Sequence, residues 1–71
     1  MTYRVELIHV LGLSEDILTN VSESSAINYA RMYLSERFDN HGEIRIVPKQ
    51  NGETLVYAAN VHTYDCLVVP E

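Results

Sequence analysis

The chain has 71 residues, 46% of them apolar, with a single cysteine and ten acidic against five basic residues for a formal net charge of -5. A core of this size buries only about 60% of the surface of its unfolded chain, and one cysteine excludes both an intrachain disulfide and a paired-cysteine metal frame, so stability must come from close packing or self-association. The acidic balance argues against an extended phosphate-binding footprint, which needs clustered Lys and Arg, and favours protein partners over nucleic acid.

Tyr3 to Leu11 alternates as a strand, with Tyr3, Val5, Leu7, His9 and Leu11 on one face and Arg4, Glu6, Ile8 and Val10 on the other. No leader or spanning segment is expected, because polar residues interrupt the N-terminus at once and no apolar run nears the roughly 18 residues of a membrane helix. The expected setting is the reducing cytoplasm. Gly12 ends the strand, and Leu13 to Asp16 read as a connection with turn chemistry from Ser14 and Asp16. Ile17 to Val21 alternates as a short returning strand, the alternative being one helical turn capped by Ser14-Glu15-Asp16.

Ser22 is placed to cap a helix, with Glu23 favourable in the first turn. Ala26, Ile27, Ala30, Tyr33, Leu34 and Phe38 recur at helical spacing as one apolar stripe. Met32 lies opposite that stripe, flanked by Tyr29 and Glu36. Arg37 falls in the last turn, where it can snorkel to solvent, and Asp39, Asn40, His41 and Gly42 terminate the helix.

Glu43 to Gln50 and Glu53 to His62 are β-rich segments around Asn51-Gly52, a strong hairpin signal. A two-residue loop would set Pro48 opposite Leu55, Ile46 opposite Tyr57 and Ile44 opposite Ala59, with Val47 opposite Val56 and Arg45 opposite Ala58 on the other face. Pro48 cannot donate to a ladder, which puts its strand at a sheet edge or leaves it unpaired on one side there. Thr63 to Asp65 reads as a turn and Cys66 to Val69 as a closing strand stopped by Pro70. The expected fold is a single α+β domain over 1-71: a small antiparallel sheet with one helix packed on one face, order ββαβββ, or βαβββ if Ile17 to Val21 is not a strand.

Residues that carry chemistry are sparse. His9, His62, Asp65 and Cys66 offer mixed metal ligands, but their spacing has no specificity, and a rim histidine, a solvated histidine and a small buried cysteine account for them. No Gly-x-Ser-x-Gly elbow is present, and Gly12, Gly42 and Gly52 each have a turn to explain them, so no phosphate-cradling loop can be drawn. No catalytic residue, metal or cofactor is expected. Arg45 and Lys49 share a strand face and tyrosines can stack on bases, which keeps a nucleic-acid-associated binding domain as the alternative.

One helix can cover only one sheet face. In the two-residue register the uncovered face carries Ile8, Val10, Val47, Val56 and Ala58, an apolar set of the kind that marks a binding surface. Tyr29 and Met32 add a second contact surface on the helix. The expected function is a non-catalytic protein-protein interaction module, self-associating, a small regulator or inhibitor acting by surface occlusion in the size class of phage-encoded inhibitors of host machinery. On this reading Tyr57→Ala truncates the core while Val56→Glu spares the isolated fold.

Overall fold

Six elements follow one another in the computed structural model, which describes residues 1–37, 43–59, 61 and 63–71. They are β1 (Tyr3–His9), β2 (Ser14–Val21), α1 (Glu23–Arg37), β3 (Ile44–Pro48), β4 (Thr54–Ala58) and β5 (Tyr64–Pro70). Every pairing is antiparallel, and the sheet order β2-β1-β5-β4-β3 puts the C-terminal strand at the centre. The ββαβββ order is the one the sequence predicts, with Ile17 to Val21 strand rather than helical turn. β2 starts earlier, at Ser14. β5 also starts earlier, because Tyr64 and Asp65 pair with His9 and Ile8 instead of turning.

Helix α1 begins where its cap was expected. The Ser25 N–H donates to Ser22 Oγ at 3.2 Å and the Ala26 N–H to the Ser22 carbonyl at 2.9 Å, satisfying donors that a first turn leaves open. Ala26, Ala30 and Leu34 are fully buried, and Ile27 and Tyr33 pack at their margin. Phe38, and the termination expected from Asp39 to Gly42, lie outside the described residues. Beneath the helix sit Val5 and Leu7 of β1, Val56 of β4, and Cys66 and Val68 of β5. Leu34 is the largest helix side chain in that cluster, so Leu34→Ala should cost about 3 kcal/mol, read as a lower urea midpoint at unchanged m-value.

The β3–β4 register differs from the two-residue prediction. Pro48 pairs with Thr54, Val47 with Leu55, Ile46 with Val56, Arg45 with Tyr57 and Ile44 with Ala58. The loop holds three residues, Gln50, Asn51 and Gly52, closed by the Lys49 N–H donating to the Glu53 carbonyl at 2.8 Å. A shift of one residue turns every side chain of a strand to the opposite face. Thr54, Val56 and Ala58 therefore lie under the helix, while Leu55 and Tyr57 point away from it. Packing gives the reason. The helix presents Ala26, Ala30 and Leu34 to the sheet, and close packing against the two alanines suits valine, threonine and alanine better than a tyrosine ring. Pro48 stands on an edge strand, as its missing donor requires.

Candidate interaction surface

The β1–β2 and β3–β4 hairpins close in the same way. The His9 N–H donates to the Leu13 carbonyl at 2.8 Å and the Gly12 N–H to the His9 carbonyl at 2.9 Å; Lys49, Glu53 and Gly52 repeat the pattern at 2.8 and 3.3 Å. Gly12 and Gly52 take φ of 90° and 89°, a left-handed conformation that disfavours any side chain. At the second tip the loop is polar, as turns usually are, and Asn51 Oδ1 accepts the Glu53 N–H at 3.1 Å. The first tip is not polar. Val10 is 70% exposed, Leu11 84% and Leu13 68%.

This corrects the sequence reading at two positions. β1 ends at His9, so Val10 is not on the open sheet face and Leu11 is not beside Leu7; both form the hairpin tip. Glycine explains the early end, because Gly12 closes a three-residue loop that needs His9 and Leu13 as its flanking pair. The tip is tied down as well. The Val10 N–H donates to the Thr63 carbonyl at 3.0 Å, and behind it the His9 ring meets Tyr64 edge-on at 4.6 Å. The Arg37 guanidinium lies 4.9 Å over the Tyr33 ring and 5.7 Å over that of Tyr64, and it donates to Tyr33 Oη at 2.7 Å.

The open sheet face adjoins the tip through Ile8. Val47, Leu55 and Leu67 stand directly opposite one another across three strands, and the next row holds Arg45, Tyr57 and Asp65. Arg4 bridges β1 and β2 on this face, 3.4 Å from Asp16 and 3.5 Å from Glu6. Of the predicted partner-binding residues, Ile8 and Val47 lie on this face, and Tyr29 and Met32 are exposed on the helix. Val56 and Ala58 are buried beneath the helix by the register shift and are not on the open face. Leu55, Tyr57, Leu67, Leu11 and Leu13 are the exposed or half-exposed apolar residues that the sequence reading did not place in a contact surface. The second glycine-closed loop was the available signal, since His9 to Leu13 repeats the glycine position of Lys49 to Glu53.

No protein-family model matches this chain, and no curated protein or solved structure matches it.

The remaining chemistry is quiet. Cys66 is buried, and His62 lies outside the described residues. Asp65 and Cys66 are adjacent on β5 and so point to opposite faces. Among the described residues no three of His, Cys, Asp and Glu come together. Arg45 lies 3.2 Å from Glu43, and Lys49 lies 3.8 Å from Glu53. No helix among the described residues is long and apolar enough to cross a membrane.

Burial, and secondarily the Asp65 carboxylate, push the Cys66 thiol up to about 12 from an ordinary 9.0. The folded chain thus keeps a proton that the unfolded chain releases. Its contribution is complete below the ordinary thiol range and is lost as pH rises from 9.0 towards about 12, at up to about 1.4 kcal/mol per pH unit. Chemical denaturation at stepped alkaline pH should show that loss, and Cys66→Ala should flatten it. A thiol reagent should label Cys66 only when the chain unfolds.

Proposed function

We propose that this chain is a non-catalytic protein-interaction module, a small regulator or inhibitor that works by occluding a partner's surface. The observation that carries the reading is the hairpin tip, where Val10, Leu11 and Leu13 stand in water at positions whose geometry is equally served by polar residues in the second hairpin. Exposed apolar groups held on a pinned backbone lose little conformational freedom when a partner covers them. The half-buried Leu55, Tyr57 and Leu67 widen the contact along the open sheet face. Because the module acts by covering, its effect is stoichiometric with its partner.

Arg45 directly opposite Tyr57 on the open face supports the alternative, a nucleic-acid-associated domain. Against it, a polyanion would have to displace Glu43 from Arg45 and Glu53 from Lys49. Affinity capture from the native cell, run with the wild-type chain beside a variant with a polar tip, tests the two readings. A protein recovered by the first and lost by the second is the expected result. Recovery of nucleic acid in a strongly salt-dependent manner selects the alternative, and equal recovery by both chains removes the tip from the function.

A further inference from the structure

The sheet has two edges, and they differ. On β2 the register against β1 shifts on both sides of Val5, Asn20 takes a φ of 63°, and the Asn20 N–H donates to Glu71 Oε1 at 3.3 Å. Bulges of this kind, together with the exposed Glu15 and Asp16, are what keep an edge from pairing with another chain. β3 carries Pro48 and the exposed Arg45 but runs in unbroken register with β4.

The phase of the β3–β4 ladder shows what its open side offers. The Lys49 N–H donates to the Glu53 carbonyl and the Ala59 N–H to the Glu43 carbonyl, each at 2.8 Å. Residues 43, 45, 47 and 49 therefore turn their backbone groups to β4, and the N–H and C=O of Ile44 and Ile46 point out of the sheet. The donor that Pro48 lacks falls on this outward side, so its absence takes nothing from the fold. Ile46 is 41% and Val47 42% exposed. Beside Ile46, on the helix face, an open groove of about 780 Å³ runs between α1 and β3, with Met32, Ile44 and Ile46 as its apolar wall.

We propose that a second copy of this chain completes the β3 edge, the two β3 strands pairing antiparallel about a twofold axis at Ile46. This rests on the interaction-module reading and names one of its partners. The argument is self-complementarity. With Ile46 opposite Ile46, the whole of β3 overlaps, Arg45 falls opposite Val47 of the partner subunit, and Glu43 falls opposite Lys49 of the partner subunit, each adding a cross-subunit charge pair to the one it makes with Arg45 or Glu53 in its own chain. The Ile46 N–H donates to the Ile46 carbonyl across the axis, and the Ile44 N–H to the carbonyl of Pro48, each bond being made twice. Centring the pair on Arg45 instead sets two arginines face to face in the closely spaced pair, where like charges repel. Ile44 and Ile46 of the incoming strand enter the groove beside Met32. The contact is isologous, and the outer edges left after pairing are the two obstructed β2 strands, so assembly stops at the dimer.

Sedimentation and amide hydrogen exchange on the full chain test this. The mass is expected to rise with concentration from 8.1 kDa towards twice that value. The Ile44 and Ile46 amides should gain protection over the same range, while those of Arg45 and Val47 are protected throughout by β4. Glu43→Lys alone and Lys49→Glu alone should each weaken association roughly tenfold or more, since each makes both facing pairs repulsive. An equimolar mixture of the two variants should restore it, and so should the double variant. Both positions are exposed, so the monomer fold is not at stake. A monomer at every concentration, association that leaves Ile44 and Ile46 unprotected, or a mixture no stronger than the single variants overturns the proposal. None of these substitutions touches the Val10 to Leu13 tip, so failure here leaves the captured partner unchanged, and loss of that partner on changing the tip leaves the dimer unchanged.

Discussion

Val56→Glu is expected to leave no cooperatively folded protein. Val56 is 0% exposed, facing the alanine side of α1 and flanked across the sheet by Ile46 and Cys66. A carboxylate there has no cation within its cluster, whose members are all apolar apart from the Cys66 thiol. An unpaired buried charge, or the neutral acid that replaces it after a large shift in pKa, costs several kcal/mol. A domain of this length has roughly 4–10 kcal/mol in total. Its neighbour should behave otherwise. Tyr57 points to the open face between Arg45 and Asp65, so Tyr57→Thr keeps a β-former and loses only lateral packing, about 1 kcal/mol or a fall in Tm of about 4–8 °C. Thermal melting of the pair followed by circular dichroism decides it. A folded Val56→Glu chain beside an unfolded Tyr57→Thr chain would return β4 to the two-residue register.

The contrast shows which parts of the fold local signals can specify. The helix was legible because its cap, stripe and charged last turn agree with one another over fifteen residues, and agreement across levels is what makes a segment unambiguous. The strands were legible as strands. Their faces were not. Asn51-Gly52 is compatible with a two-residue loop and with a three-residue loop in which glycine is the last member, and the two differ by one residue. Counting apolar residues favours Leu55 and Tyr57 for the interior, yet two of the three buried helix residues are alanines, and packing against them selects small side chains instead. That selection is made by the distance between helix and sheet, a tertiary quantity absent from any local window. The same uncertainty hid the tip: reading β1 through to Leu11 placed Val10 and Leu11 on strand faces and made their exposure invisible.

Replacing the tip should remove partner binding and leave the fold in place. Val10→Gln, Leu11→Asn and Leu13→Thr copy the polarity of the second hairpin while Gly12 keeps the left-handed position that the loop requires. The hydrogen bonds that close the loop run between backbone atoms, so side-chain exchange does not break them. Since all three side chains are more than two-thirds exposed, the fold loses little burial, and turn-forming residues at these positions favour the loop if anything. Binding should respond very differently. A Val or Leu side chain fully covered by a partner contributes about 1.5–3 kcal/mol. Three of them together are worth at least about 4 kcal/mol, a fall in affinity of roughly a thousandfold. Leu11, the most exposed, should carry the largest single share, and Leu11→Asn alone should weaken binding by at least about tenfold. The measurement is calorimetric titration of the captured partner with wild-type, Leu11→Asn and triple-variant chains, with the melting temperature of each taken alongside. Unchanged affinity in a triple variant that melts like the wild type would mean that the apolar tip is not the contact, and the open face around Leu55, Tyr57 and Leu67 would then be the surface to alter.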